Sequence, residues 1–144
     1  MRHAFSARFA AALRGAHRVL GLDAPLQQQA WEFIVSAGGR PVRTAAVAEA
    51  LGVTREHLSR SFSAEGAPNL KRVIDLVRLV AAAELAKNSW YDLADVATVL
   101  EFASPSHLAS TAQRVAGIRA ASLTRLRTQD LLVRFRQGRS RSSE

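Results

Sequence analysis

Two stretches of this chain repeat each other, and that repeat narrows the possible folds more than any other feature of the sequence. Val47-Ala-Glu-Ala-Leu-Gly-Val-Thr-Arg-Glu-His-Leu-Ser-Arg-Ser-Phe62 aligns with Val96-Ala-Thr-Val-Leu-Glu-Phe-Ala-Ser-Pro-Ser-His-Leu-Ala-Ser-Thr-Ala112. Val47, Leu51, His57 and Leu58 fall on Val96, Leu100, His107 and Leu108, with one extra residue in the second turn. Each copy reads as a short helix, a tight turn and a second helix. That is helix-turn-helix geometry, in which the second helix is shaped to enter a major groove. Between the copies, Leu70, Val73, Ile74, Val77, Ala81, Ala82 and Leu85 recur with the helical period, so one long amphipathic helix joins them. A single unit would read equally well as two packed helices of a bundle; two copies on one connecting helix do not.

Local signals punctuate the rest of the chain. Phe5, Phe9, Leu13, Ala16 and Leu20 predict one N-terminal amphipathic helix over residues 1–20, packed on the body or on a second subunit. The competing reading is a removed targeting segment, because this stretch holds four arginines and no acid. Pro25 suits the first turn of a helix whose stripe is Leu26, Ala30, Phe33, Ile34 and Ala37, ended by Gly38-Gly39. Thr44 is expected to cap a helix stopping at Gly52, and Thr54 one ending near Gly66. Asp92 and Ser104-Pro105 start two more, and Gly117 closes the second. A last helix is expected from about Ala120 into the 130s, with Gln137 to Glu144 as a disordered basic tail.

Composition agrees with an all-α fold. Of the 144 residues, 27 are Ala, against 8 Gly and 4 Pro, and 48% are hydrophobic. There is no Cys, which excludes disulfides, thiolate metal sites and Cys nucleophiles. No apolar run approaches the roughly 20 residues that span a bilayer. The net charge of +8 points to a polyanionic partner, nucleic acid first. It sits at the ends: residues 21–113 hold 8 basic and 10 acidic residues, a net −2. Arg outnumbers Lys 18 to 2, which favours bidentate contacts to phosphate or guanine, although genomic base composition produces the same bias. No Ser-His-Asp spacing, Gly-rich phosphate loop or paired-carboxylate motif supports an enzyme. His57 and His107 lie on separate helices with no carboxylate cluster between them, so neither a metal nor another cofactor is expected.

Residues 25–127 resemble the DNA-binding domain of the AraC/XylS family of bacterial transcription regulators. "VAEALGVTREHLSRSF" fits the family's first helix-turn-helix. "RLVAAAELA", Arg78 to Ala86, fits its linker helix. "DLADVATVLEFASPSHLA", residues 92–109, fits the second unit, and "GIRAASL", 117–123, fits the closing segment. The resemblance implies two helix-turn-helix units (44–66 and 92–116) bridged by a long helix (69–88); the local pattern outside it adds a basic helix before (1–24) and a helix end and tail after (128–144). It implies two recognition helices in adjacent major-groove segments about one helical turn apart. The second unit departs from the family. Glu101 stands where the family has Gly, and Ala109-Ser-Thr-Ala-Gln113 stands where it has a Ser-Arg-x-Phe-Lys run. Ala120 stands in place of the closing Pro.

Arg55, Glu56, Ser59 and Arg60 should face away from Leu58 and Phe62 on the first recognition helix. Arg60 is the leading candidate for bidentate contact to guanine. Ser59 matches a base-contact position of the family. Glu56 can accept from cytosine, and Arg55 is placed for phosphate. On the second helix, Ser106, His107 and Ser110 are candidates for the groove, and Gln113 and Arg114 for the backbone. Thr44 and Ser104, at helix N-termini, are candidates for phosphate contact, with plain capping as the simpler role.

The expectation is a bacterial, cytoplasmic regulator on the nucleoid, an activator touching double-stranded promoter DNA and RNA polymerase, with a homodimer through the N-terminal helix as an option. About 24 residues precede the domain and about 17 follow it, which leaves no room for a sensing domain. With Met1 present, a short stand-alone regulator is expected over a fragment. The alternative is a protein-interaction module on a degenerate form of the same fold, acting on transcription through a partner protein.

Overall fold

The computed structural model describes residues 2–64 and 67–142, and among them it is helical with no strand. The order is α1 (Arg2–Leu13), α2 (Ala16–Val19), α3 (Pro25–Ser36), α4 (Thr44–Leu51), α5 (Arg55–Ser63), α6 (Leu70–Ala86), α7 (Leu93–Val99), α8 (Pro105–Ala116), a 3-10 turn over Ala120–Thr124, and α9 (Thr128–Ser142). The long helix α6 is the axis of the molecule. Its residues are apolar on nearly every side, and a helix of that kind has to be enclosed. It is: Val73, Ile74, Leu76, Val77, Leu79 and Val80 are buried, and α1, α3, α5, α7, α8 and α9 all pack on it. The two helix-turn-helix units, α4–α5 and α7–α8, therefore share this one helix as their common support.

Three local expectations need correction. Residues 1–20 are not one helix, because Gly15 takes a left-handed φ of 75° and splits α1 from α2. The apolar stripe is nonetheless buried within this chain. Phe9, Leu13, Ala16 and Leu20 lie in the core and α1 packs on α6, so the stripe covers the body rather than a second subunit. Phe5 lies outside the described side chains, and the Gly66 helix end lies outside the described residues. Second, Thr44 does not cap α4. The chain turns one residue earlier, the Ala46 and Val47 amides donate to the Arg43 carbonyl at 3.0 and 3.2 Å, and no side chain caps this end.

Third, the C-terminal segment is divided differently. Residues 120–124 form a 3-10 turn and α9 starts only at Thr128. That helix continues to Ser142, where a disordered tail was expected from Gln137. The reason is anchorage. Leu131, Leu132 and Phe135 are buried, Lys87 Nζ donates to the Leu126 carbonyl at 2.6 Å, and Thr128 Oγ1 donates to Glu84 at 3.4 Å. At the other end, Arg72 stacks 4.5 Å over the Phe135 ring. α9 thus runs antiparallel to α6, and once packing has nucleated a helix each further residue adds a bond at little cost.

Candidate nucleic-acid interface

The first unit is built by backbone chemistry that its sequence specifies. Gly52, with φ 70°, reverses the chain after α4. Its amide donates to the Glu49 carbonyl at 3.2 Å and the Val53 amide to Ala48 at 3.0 Å, the paired bonds of a left-handed helix terminator. Thr54 then caps α5 by accepting from the His57 amide at 3.1 Å. Leu58 and Phe62 are fully buried, and this seats α5. Arg55, Glu56, His57, Ser59 and Arg60 are exposed together on the outer face, as the spacing predicts. Gln27 adds a tie from outside the motif: buried on α3, it donates from Nε2 to the Ser61 carbonyl at 2.7 Å. In the sequence Gln27 is one of three consecutive glutamines; locally it only closes the start of α3, its Oε1 accepting from the Ala24 amide at 3.1 Å, and nothing there points to Ser61.

The second unit repeats the geometry with different residues. Asp92 and Asp95 cap α7 reciprocally, at 2.8 and 3.0 Å. The Glu101 and Phe102 amides donate to Thr98 at 3.2 Å and Ala97 at 2.8 Å, the same pair of bonds as in the first turn. Glu101 sits where Gly52 sits in the first unit, with φ 59°, and among the described residues no other non-glycine has positive φ. A left-handed φ strains a residue with a Cβ by about 1–2 kcal/mol. The pair of Glu101 with Arg40, at 3.7 Å and with both side chains 62% exposed, returns little of that. Glu101→Gly should therefore stabilise the fold by roughly 0.5–1 kcal/mol, after the entropy gained by a glycine in the unfolded chain is subtracted. Chemical denaturation reads this directly, and a destabilised variant would show that the ion pair outweighs the strain.

Ser104 caps α8 by accepting from the His107 amide at 3.1 Å, and Leu108, Ala112 and Val115 are buried beneath it. Ser106, His107, Ser110, Gln113 and Arg114 are exposed, but two of them hold internal contacts. His107 braces the turn, its Nδ1 accepting from the Ala103 amide at 3.4 Å and its ring edge-on to Phe102 at 5.6 Å. Arg114 donates from Nη1 to Asp75 Oδ2 at 2.6 Å. Asp75 lies buried on α6 and receives Lys71 Nζ on its other oxygen at 2.9 Å. The arginine of the second recognition helix is thus anchored to the linker helix. Asp75→Ala should cost about 1–3 kcal/mol, the loss of two charge-assisted hydrogen bonds, discounted because both cations are half exposed or more. The check is urea unfolding with the slope unchanged.

Between the units sits a residue whose role the sequence does not disclose. Arg78 is buried on α6, and its guanidinium donates from Nε to the Gly39 carbonyl at 3.0 Å and from Nη2 to the Leu100 carbonyl at 2.9 Å. Its Cζ lies 3.9 Å from the centre of the Phe102 ring. Burial pushes this guanidinium below its ordinary pKa, opposed by the charges of Asp75 and Glu101. Gly39 lies in the loop that leads from α3 into α4 and Leu100 ends α7, so one side chain ties the approach to the first unit to the second unit.

Among the described residues, no group of three or more His, Asp or Glu side chains could hold a metal, and no helix is long and apolar enough to cross a membrane. The family model described as helix-turn-helix domain, of the AraC type, matches residues 47–126. No curated protein and no solved structure gives a significant match. The matched span starts inside α4 and runs through both turns, the linker helix and the closing 3-10 turn, which is just over half of the 144 residues. The chain accordingly belongs to the AraC/XylS-type helix-turn-helix family of DNA-binding transcription regulators.

Proposed function

We propose that this protein is a sequence-specific regulator that reads duplex DNA chiefly through α5, with α8 docked beside it mainly on the phosphate backbone. In this reading it works in the bacterial cytoplasm, on the nucleoid, as an activator that contacts promoter DNA and RNA polymerase. The observation that carries the reading is the asymmetry between the outer faces of two units that share the helix-turn-helix form. The outer face of α5 presents Arg55, Glu56, Ser59 and Arg60, whereas α8 presents serines and an arginine held by Asp75. Arg60 supplies the bidentate guanine contact, Glu56 and Ser59 refine the choice of base, and Arg55 meets phosphate. On the second unit, Ser106, His107 and Ser110 line the groove and Gln113 and Arg114 face the backbone. The N-termini of α4, at Thr44, and of α8, at Ser104, offer amides to phosphate.

The test compares Arg60→Ala with Ser110→Ala on one duplex at one salt concentration. Arg60→Ala should weaken the preferred site by roughly 1–3 kcal/mol and relax the base choice there, while Ser110→Ala should cost well under that. Both positions are exposed, so unchanged melting temperatures serve as the control. Equal losses in two folded variants would make α8 a full reader and overturn the asymmetry. The acidic balance of residues 21–113 keeps one other reading in play, a regulator that acts through a partner protein. Absence of binding to any duplex at low salt would favour it.

A further inference from the structure

The structure assigns Arg78 the role of positioning residue for the two recognition helices: it fixes their relative placement and hence the spacing of the DNA segments the protein accepts. The inference rests on the reading of α5 and α8 as the DNA-contacting helices. Three observations converge on it. The guanidinium has one hydrogen bond to the loop that leads from α3 into the first unit, at the Gly39 carbonyl, and one to the second unit, at the Leu100 carbonyl that ends α7. Those acceptors lie 39 and 22 residues away along the chain, and they meet at Arg78 because α6 passes between the units. The contact surface is also close-packed: a Cβ built on Gly39 would lie 2.3 Å from Ala81 Cβ and 3.5 Å from Leu100 Cδ2, so the backbone before α4 rests directly on α6. Finally, the guanidinium plane is covered by Phe102, the residue that follows the left-handed turn of the second unit, which holds its two donor edges in direction.

A planar fork with two carbonyl acceptors on two bodies adds directional restraint against sliding and rotation of one against the other, beyond what a single hydrogen bond supplies. The spacing between segments depends on this. One added base pair turns the second segment by about 34° relative to the first, so a rigid pair of helices rejects it and a loosened pair follows it.

Two measurements on the full chain test the inference, with Arg78→Met removing both hydrogen bonds and Arg78→Lys keeping the charge but only one of them. The chain has no cysteine, so Ser59→Cys and Ser110→Cys introduce unique sites for nitroxide labels on α5 and α8. The label-to-label distance in free protein should be a single narrow distribution with Arg78, wider with Lys and widest with Met. The second measurement uses duplexes selected by the wild-type protein from a random-sequence pool, with one base pair inserted between the two contacted segments. The wild type should lose at least about tenfold in affinity and Arg78→Met less than about threefold, tenfold being the cost of roughly one mismatched pair.

A purely structural residue would weaken all spacings alike and leave that ratio unchanged, and this result would overturn the inference. So would an unchanged distance distribution in either folded variant, or failure of both variants to fold, which would make Arg78 a residue of the fold alone. If the wild type selects no duplex, the DNA reading fails, and the distance distributions still decide whether Arg78 sets the helix placement.

Discussion

Raising the salt from about 50 to about 200 mM should lower the affinity of this protein for duplex DNA on the order of a thousandfold. The estimate assumes about six neutralised phosphates, each releasing condensed counterion, so that the logarithmic slope is near −5. The structure supplies the cations. Arg43, Arg55 and Arg60 are exposed on or beside the first unit, and Arg119, Arg125 and Arg127 are exposed on the segment after α8. The net +8 of the chain was concentrated at its two ends in the sequence, where loose tails would bind phosphate without fixed geometry. In the fold α1 lies on α6 and α9 is anchored along α6 and α8, so much of this charge is carried on rigid elements. Fluorescence anisotropy of one labelled duplex over a salt series measures the slope. A flat response would sink the DNA reading, because no folded basic surface of this kind binds a duplex independently of salt.

The second large effect is on stability. Gly39→Ala should destabilise the fold by about 2–4 kcal/mol and lower Tm on the order of 10 °C. Two costs add. Gly39 has φ 90°, a conformation that strains any residue with a Cβ by about 1–2 kcal/mol. The new methyl would also meet Ala81 Cβ at 2.3 Å, and Ala81 sits on the buried face of α6 and cannot yield without moving the helix. Gly38→Ala is the internal control. Its φ is 67° and nothing lies within 4 Å of a Cβ there, so it should cost only the strain, about 1 kcal/mol. In the double variant Gly39→Ala with Ala81→Gly, the collision is removed and the total loss should be less than the sum of the two single losses. Equal effects at Gly38 and Gly39 would show that the contact of this backbone with α6 contributes nothing.

What the sequence determined by itself is the local grammar of each unit. The caps at Thr54, Asp92 and Ser104, the terminators at Gly52 and Gly117, the buried pair Leu58 and Phe62 and the exposed face around Arg60 all depend on residues within about one turn of each other. Caps and periodicity encode such things directly, and the strained turn at Glu101 was legible because the family this chain resembles has a glycine there. Where local signals were weaker they misled. Thr44 yielded the cap position to Arg43, Gly15 broke a stripe that looked continuous, and packing carried α9 past Gln137. Only the tertiary structure decided what holds the units in place. The bonds of Gln27 to Ser61, Arg78 to Gly39 and Leu100, and Arg114 to Asp75 span 34, 39, 22 and 39 residues. Their partners are two backbone carbonyls presented by turns, a third within α5, and a carboxylate made accessible by a helix crossing. A residue's type and its neighbours in sequence say nothing about which carbonyl will stand 3 Å away once six helices have closed around a seventh.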